Sequence, residues 1–269
     1  MKKKNTFSKP ELNTEDLSIA LYNVTQKLER ANALLEESQK QKDMLFSNIS
    51  HDLRSPITAI RNSIEYLLSL EEIDKDELNS ALKLMERRSI YLEHLINDVF
   101  LLASIDINEK MFHNEELNLT YILEDFYFMV AEDNRYETRK LCLDVPEDFE
   151  CMVSVDSKMF LRVLDNLFTN ALKYSYEGAS ITLNAYKNDS YAHILVSDTG
   201  IGIEPEHLSE IFEPSFMVES ARTPSSTTGT GLGLAIVKAI IQHFGGTIWC
   251  ESIPTKGSTF HFTIPLLTN

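Results

Sequence analysis

The first part of the chain carries hydrophobic residues at a spacing typical of a coiled coil. Apolar or small residues recur four and then three positions apart, as in a two-stranded coiled coil. The series runs through Leu21, Val24, Leu28, Ala31, Leu35, Ser38, Lys42, Leu45 and Ile49, with Ser38 and Lys42 as its weakest members. Glu, Gln, Lys and Asn fill nearly all other positions, which disfavours an amphipathic helix packed on its own domain. We therefore predict a dimerising signal helix over residues 1–43.

A helical hairpin is predicted for residues 44–107. Helical spacing continues as far as Leu68, stops in the acidic stretch Glu71–Glu77 and resumes at Leu78. A lone hairpin leaves apolar faces uncovered, so a second copy that completes a dimeric four-helix bundle is the economical solution. Pro56 lies inside the first helix and predicts a local kink near His51, because proline lacks the backbone N–H.

Short β-like runs alternate with helical patterns over residues 108–269. The runs cover residues 141–145, 181–186, 193–198, 246–252 and 258–265, and the helical patterns cover residues 121–134, 157–174 and 233–244. This alternation predicts an α+β sandwich with helices on one face of a mixed sheet. The expected fold class is therefore a two-domain chain, a helical hairpin followed by an α+β domain.

Charge and composition narrow the classes of function. The formal net charge is -16, so the basic footprint of a nucleic-acid binder is missing and no nucleic-acid partner is expected. No apolar run approaches the roughly 20 residues that cross a bilayer, and no apolar segment follows the basic start. We expect a cytoplasmic chain without a membrane span. Its three cysteines form no metal-ligand spacing and are expected to be reduced and buried.

The stretch FSNISHDLRSPI places His51 beside an acid on a helical background. Neutral imidazole is nucleophilic near physiological pH, and a carboxylate can hold its tautomer and take up the developing positive charge. Asp52 supplies that carboxylate. A histidine on a helix is more often an ordinary surface or core residue. The histidine and acid alone therefore do not indicate a function.

Two asparagines lie in the segment LRVLDNLFTNALKYS, at positions 166 and 170. A spacing of four puts Asn166 and Asn170 on one helical face. The residues between them are core-like, although two solvated amides would have the same spacing. Amide oxygens suit Mg²⁺, which prefers oxygen ligands and keeps several waters.

Two glycine patterns follow. The first, Asp198-Thr-Gly200-Ile-Gly202, ends an apolar strand, and by itself is a common turn sequence. The second, Gly229-Thr-Gly231-Leu-Gly233, opens a helix, where backbone amides and the helix N-terminus favour a phosphate. A Rossmann fingerprint from Gly200 fails because Pro205 stands where glycine is needed, and the chain has no P-loop sequence.

Together these segments resemble the H, N, G1, F and G2 boxes of sensor histidine kinases of two-component systems, in the family's order. The resemblance covers residues 46–265. It implies a HisKA dimerisation and phosphoacceptor domain, followed by a HATPase_c domain with the Bergerat ATP-binding fold. It also implies ATP and Mg²⁺ as cofactors, a homodimer, and a response-regulator receiver domain as partner.

The resemblance assigns roles residue by residue. His51 would accept the phosphoryl group, with Asp52 beside it. Asn170 would be the metal ligand and Asn166 a neighbouring polar contact, Lys173 would contact phosphate, and Tyr174 would form a wall for the base. Asp198 would accept from the exocyclic amine of adenine. The remaining nucleotide contacts would be Gly200, Gly202, Phe212 of the F-box, Gly229, Thr230, Gly231, Leu232 and Gly233, and residues 217–228 would form the ATP lid.

The chain departs from the family at two places. Ser55 stands four residues after His51, where the family usually has threonine or asparagine to orient water for dephosphorylation of the partner. The F-box, residues 211–216, lacks the aromatic and basic pair that commonly follows its proline. Arg222 is the candidate for a substitute lid cation.

Two other functions use the same ATP boxes. One is a regulatory module that binds ATP and signals through the shape of the bundle with little phosphoryl transfer. The other is an ATPase of the wider Bergerat superfamily. The H-box counts against both, because neither function needs a histidine with a neighbouring acid on a dimer helix.

Overall fold

The computed structural model describes residues 14–105, 111–146, 149–214, 216 and 231–267. Within these ranges it describes every side chain except those of residues 14–17, 20, 38, 41 and 42. The chain divides into two compact units, one ending at His51 and one beginning at Asp52.

Helix α1, Thr14–Ser69, contains the predicted coiled-coil series. The apolar side chains of this series are exposed within one chain from Leu21 to Leu35, with Leu28 at 60% and Leu35 at 69%, whereas Leu45 is half-buried and Ile49 is buried. A single copy of the chain therefore leaves the first part of the predicted seam uncovered. Pro56 is buried, and the helix continues through it without interruption. The kink near His51 stays a prediction.

Helix α2, Lys75–Ile105, completes the predicted hairpin. The break falls at residues 70–74, inside the region where the helical pattern stops. Asp74 caps the new helix, because its carboxylate accepts the Asp76 N–H at 3.1 Å and its carbonyl accepts the Leu78 N–H at 2.9 Å. The Tyr66 hydroxyl donates to the Glu77 carboxylate and joins the two helices at the turn.

A five-stranded mixed sheet confirms the predicted fold of the second half. Its spatial order is β2 (Lys140–Asp144), β4 (Ser180–Lys187), β5 (Tyr191–Asp198), β7 (Gly257–Pro265) and β6 (Ile248–Ile253). Strands β2 and β4 are parallel, and the other neighbours are antiparallel. Side chains alternate between buried and half-buried along β4 and β5, as expected for a sheet with one face against helices.

Three helices accompany this sheet: α3 (Leu119–Ala131), α4 (Ser157–Lys173) and α5 (Gly233–His243). Their apolar faces form the core together with the inner face of the sheet. Phe126 and Phe168 meet edge to face with ring centroids 4.9 Å apart, and both are almost fully buried. The asparagine-bearing helix α4 is therefore held rigidly on its apolar side.

A second, two-stranded sheet was not predicted from the sequence. Strand β1, Glu115–Asn118, pairs antiparallel with β3, Met152–Val155. Each strand has only four residues, and the polar composition of β1 hides the alternation that identifies a strand. The pairing joins segments that are far apart in the chain, so no local signal indicates it.

Helix α2 also packs against α5 of the second half. Leu95, Leu101 and Ile105 are buried, with Leu95 only 1% exposed. Asp98 of α2 forms an ion pair with Arg162 of α4. Part of the apolar surface of the hairpin is thus covered by the same chain, which sequence periodicity alone did not indicate.

All three cysteines are free. Cys151 is buried and Cys250 half-buried, but Cys142 is exposed, so the expectation of buried thiols is wrong for Cys142. Cys142 alternates with the less exposed Leu141 and Leu143 on β2, a strand at the edge of the sheet. Over the ranges given above, no helix combines the length and the apolar character that crossing a bilayer requires.

We expect Phe168→Ala to lower the free energy of unfolding by about 3–5 kcal/mol, because it empties a fully buried ring position. Urea unfolding followed by the fluorescence of Trp249, the single tryptophan, measures the change. Phe128→Ala is the matched control on α3, since Phe128 is 61% exposed, and should cost no more than about 0.5 kcal/mol. Equal losses in the two variants would contradict this description of the core.

Candidate functional site

Helix α4 is the platform on which the candidate nucleotide site is built. Asp156 caps its N-terminus by accepting the Met159 N–H at 3.1 Å, and also accepts the His113 N–H at 2.9 Å. The side chains of Asn166 and Asn170 are half-buried, while the apolar residues between them lie in the core. The predicted sharing of one helical face is consistent with this burial pattern.

Asn166 lies where α4 meets the start of α5. Its amide donates to the carbonyl of Arg162 at 2.9 Å. A Cβ added to Gly233 would lie 2.8 Å from the Asn166 side-chain oxygen, so a larger residue there would require the Asn166 side chain to shift. The N-box and the second glycine box, which are well separated in sequence, are therefore in contact.

Asp198 is a buried acid at the end of β5, 8% exposed. Burial raises its pKa from 3.8 to about 6, although hydrogen bonds from the backbone of Gly200 and Ser258 oppose this rise. The Gly200 N–H donates to one carboxylate oxygen at 2.8 Å. A desolvated acceptor of this kind favours a ligand that brings a hydrogen-bond donor.

Close backbone contacts surround this acid. A Cβ added to Gly200 would lie 2.2 Å from the Tyr174 carbonyl oxygen, which accepts the Ile201 N–H at 2.9 Å. Gly202 has φ +71°, and a Cβ there would lie 2.2 Å from the Ile253 carbonyl oxygen. The first glycine box thus joins the end of α4 to β6. The glycines are needed for close approach and for a left-handed backbone, not for flexibility alone.

Gly257 is a site residue that the sequence reasoning missed. It has φ +116°, and an added Cβ would lie 1.9 Å from the carbonyl oxygen of Asp198. The Thr-Lys-Gly sequence between two strand-like runs was the available signal, since it marks a hairpin turn. Its contact with Asp198 depends on the pairing of β5 with β7, which that signal does not reveal.

Helix α4 ends in the residues assigned to phosphate and base. The Lys173 ammonium lies 4.7 Å from the centre of the Tyr174 ring, a cation–π contact. Both side chains are half-buried. The backbone of Tyr174 contacts Gly200. The side chains of Lys173 and Tyr174 are therefore attached to the backbone segment that packs against the Asp198 turn.

The second glycine box leads directly into α5. Gly231 has φ +69°, Leu232 is fully buried, and Gly233 is the first residue of the helix. A helix N-terminus of this kind attracts an anion. The other residues assigned to this part of the site, Arg222, Gly229 and Thr230, lie outside the described residues together with the proposed lid, 217–228.

The F-box packs beside the sheet. Phe212 meets Phe260 edge to face, with ring centroids 6.3 Å apart. Glu213 forms an ion pair with Lys238 of α5 at 3.1 Å. These contacts hold the segment before the lid against the helix that begins at the second glycine box.

The candidate phosphoacceptor residues lie on α1. His51 and Ser55 are exposed and one helical turn apart, and Asp52 is half-buried. Burial raises the pKa of the Tyr91 hydroxyl of α2, and the negative charge of Asp52 raises it further. Asp52 therefore faces the second helix of the hairpin, whereas the His51 imidazole is accessible to solvent.

The structure brings the predicted ATP boxes together in two contacts. Asn166 meets Gly233, and the Asp198–Gly202 turn meets Tyr174. Both contacts join segments that the sequence reasoning had treated as separate motifs.

Family models match two parts of the chain. The His Kinase A (phospho-acceptor) domain matches residues 41–108. The family of histidine kinase-, DNA gyrase B- and HSP90-like ATPases matches residues 155–268, which identifies the second half as an ATP-binding domain.

Similar proteins agree with both matches. The chain is 31% identical to the sensor histidine kinase WalK of Bacillus subtilis over 93% of this chain and 40% of WalK. It is 33% identical to the phosphate regulon sensor protein PhoR of Pseudomonas aeruginosa over 83% of this chain and 50% of PhoR. The chain thus spans about half the length of these relatives.

Solved structures show the same architecture. The histidine kinase AdeS of Acinetobacter baumannii has a TM-score of 0.62 at 25% identity and covers 81% of this chain and 98% of its own. The histidine kinase ThkA, solved in complex with the response regulator protein TrrA, has a TM-score of 0.59 at 25% identity and covers 86% of this chain and 66% of its own. A phosphoacceptor hairpin, an ATP-binding sandwich and these similarities lead to one conclusion: the chain belongs to the sensor histidine kinases of two-component systems.

Proposed function

We propose that this chain transfers the γ-phosphoryl group of Mg-ATP to His51 and then to an aspartate of a response regulator. One observation carries the proposal. An exposed histidine followed by an acid lies in the segment that matches the phosphoacceptor model, in the same chain as a preformed cradle around Asp198. The regulatory module and the wider ATPase class would use the cradle alone.

Asp198 is the base-selecting residue of this proposal. Its carboxylate is buried at a strand end and accepts hydrogen bonds from the backbone of Gly200 and Ser258. The exocyclic amine of adenine would donate to the remaining acceptor, whereas guanine carries a carbonyl at the corresponding position. Gly200 and Gly202 keep the turn compact, and Tyr174 and Phe212 would contact the base.

The phosphates would lie between the end of α4 and the start of α5. Gly231, Leu232 and Gly233 would direct backbone amides at them, with Gly229 and Thr230 completing the loop. Lys173 would leave the Tyr174 ring to neutralise phosphate charge, and Arg222 would approach from the lid. Asn170 is half-buried on α4, and its amide oxygen fits the oxygen chemistry of Mg²⁺, which would neutralise phosphate charge when bound. Asn166 would be a neighbouring polar contact.

The proposed transfer requires an unprotonated ring nitrogen on His51. That nitrogen forms a bond to the γ-phosphorus while the bond from phosphorus to the bridging oxygen breaks and ADP leaves. The ring gains positive charge, and Asp52 stabilises it and accepts the proton from the other nitrogen. Ser55, one turn further on, would offer a hydroxyl to orient water for hydrolysis of the partner's aspartyl phosphate, in place of the family's threonine or asparagine.

We propose that the working unit is a homodimer. The exposed series on α1 supports a coiled coil, and the remaining apolar surface of the hairpin supports a four-helix bundle. The corresponding division would be residues 1–43 for the signal helix, 44–107 for the phosphoacceptor hairpin and 108–269 for the ATP-binding domain. The response-regulator partner is proposed from the resemblance to ThkA, which was solved with one.

We expect His51→Gln to abolish labelling by γ-labelled ATP while the affinity for ATP stays nearly unchanged, because His51 provides the nucleophile and no part of the cradle. The label on the wild type should be labile in acid and stable in base, as phosphohistidine is. Isothermal titration with ATP supplies the binding measurement. Retention of label in the variant, or a comparable loss of ATP affinity, would contradict the proposed division of roles.

We expect Asp198→Asn to weaken ATP binding and yet to stabilise the protein without nucleotide. The pKa of Asp198 is raised from 3.8 to about 6 in the folded protein. Below pH 3.8 the carboxyl is protonated in both the folded and the unfolded state, so its burial carries no charge penalty. As the pH rises through about 6, the buried carboxylate becomes charged and the free energy of unfolding falls. The neutral amide removes this loss. We expect a gain of roughly 1–2 kcal/mol at about pH 8, after a discount for solvent screening.

The stability gain of Asp198→Asn should shrink as the pH falls toward 4. Urea unfolding of both proteins over this range measures it. Asp189→Asn is the control, because Asp189 is exposed in the turn between β4 and β5. A gain that does not depend on pH would show that burial of the charge is not its cause.

We expect wild-type protein to be a dimer by light scattering at micromolar concentration, and Leu28→Lys with Leu35→Lys to weaken that dimer, because both leucines belong to the exposed apolar series. Glu29→Lys and Glu36→Lys together change exposed acidic neighbours outside the series and serve as the matched control. A monomeric wild type would end the coiled-coil hypothesis.

A further inference from the structure

The C-terminal end of α4 carries two of the proposed nucleotide residues, Lys173 and Tyr174. The last four carbonyl groups of any helix have no partner within the helix and need another donor. Positive charge is also favourable at this end, because of the helix dipole. How these carbonyls are satisfied therefore decides how firmly Lys173 and Tyr174 are held.

Arg139 supplies one of these donors, although it lies before β2 and outside every motif. Its guanidinium donates to the Leu172 carbonyl at 3.3 Å and to the Ser175 carbonyl at 2.9 Å. Its Nε donates to the Ser175 hydroxyl at 3.0 Å, and a further nitrogen donates to Thr138 at 2.7 Å. One side chain thus binds the backbone on both sides of Lys173 and Tyr174.

The anchorage of Arg139 is itself firm. Its backbone N–H donates to the Tyr136 carbonyl at 2.8 Å, and the neighbouring Thr138 carbonyl accepts the Gly178 N–H at 2.7 Å. Its main partner, Ser175, is only 8% exposed. The guanidinium therefore connects the start of β2 to the end of α4 through bonds that are partly buried.

This connection extends to the adenine-selecting acid. The Tyr174 carbonyl, between the two carbonyls that Arg139 binds, accepts the Ile201 N–H at 2.9 Å and contacts Gly200. Gly200 in turn donates to Asp198 at 2.8 Å. A shift of the 172–175 turn would displace Tyr174, Lys173 and the Asp198 turn together.

We propose that Arg139 is a positioning residue for the nucleotide site, which acts by clamping the turn at the end of α4. The proposal rests on the nucleotide roles of Tyr174, Lys173 and Asp198 proposed above. Arg139 touches no nucleotide in this scheme. Its effect is on binding, because it holds the base and phosphate contacts in one arrangement before ATP arrives.

The planar fork of arginine suits this task. The guanidinium of Arg139 has N–H donors in fixed directions, and these reach two carbonyls and a hydroxyl. A lysine ammonium is a compact charge on a flexible chain and does not fix the directions of its donors in this way. Arg139→Lys keeps the positive charge at the helix end but not the fork. We expect an intermediate loss for lysine and a full loss for alanine.

The experiment compares ATP affinity by isothermal titration in wild type, Arg139→Lys, Arg139→Ala and Ser175→Ala. We expect the dissociation constant to rise about tenfold for Arg139→Ala and less for the other two. Arg135→Ala is the matched control, because Arg135 lies in the same segment between α3 and β2, pairs with Asp133 at 2.7 Å and stacks on Tyr136. Its interaction with α4 is through the charge of Asp165, two turns before the 172–175 turn. The affinity of Arg135→Ala for ATP should equal that of wild type.

Chemical rescue separates positioning from a general loss of stability. Methylguanidinium at non-denaturing concentration should restore much of the ATP affinity of Arg139→Ala and leave Arg135→Ala unchanged. Circular dichroism establishes that each variant is folded, and Arg139→Lys and Ser175→Ala preserve the test if Arg139→Ala is not. Wild-type affinity in folded Arg139→Lys and Ser175→Ala, or an equal loss in Arg135→Ala, would overturn the proposal.

The readout keeps this inference separate from the proposed kinase activity. Protein that binds ATP but does not become labelled at His51 would contradict the proposed function. The ATP affinities of the Arg139 variants could still be compared, so the role of Arg139 would still be tested. Wild-type protein that does not bind ATP would overturn both.

Discussion

Burial of the Asp198 carboxylate is the constraint on which the nucleotide site depends. The acid ends β5 in a place where Gly200, Gly202 and Gly257 let three other backbone segments approach within distances that a Cβ would forbid. This packing removes water from the carboxylate and raises its pKa to about 6. The site therefore holds a hydrogen-bond acceptor that water solvates poorly. A ligand that donates a hydrogen bond to it is favoured over a ligand that does not, because the second kind leaves the buried acceptor unsatisfied.

The same constraint places the other ATP boxes. The Asp198 turn rests on the end of α4, so the position of the acid and the positions of Lys173 and Tyr174 are coupled through one carbonyl. Farther along α4, Asn166 meets Gly233 at the start of α5. Helix α4 thus connects the proposed base-recognition end of the site with its proposed phosphate end, and its buried apolar face holds both to the core.

The phosphoacceptor hairpin is connected to this platform through α2. Leu95, Leu101 and Ile105 are buried, and the Asp98 carboxylate pairs with Arg162 of α4 one turn before Asn166. About two turns before Asp98 on α2, Tyr91 lies near Asp52, the residue after His51. The helix that carries no proposed catalytic residue is therefore the physical connection between Asp52 and the nucleotide platform.

The sequence by itself determined the helical hairpin and the mixed sheet, because each has a local period. It also predicted His51, Asn166, Asn170, Asp198 and the glycines as candidate site residues, through motifs whose roles come from the resemblance to sensor histidine kinases. Local patterns could not indicate the short pairing of β1 with β3, the exposure of Cys142 or the contact of Gly257 with Asp198. Each of these follows from strand pairing between distant segments. Only the tertiary structure decided that Arg139 clamps the end of α4, because its acceptors lie more than thirty residues away in the chain and any arginine before a strand looks the same in sequence.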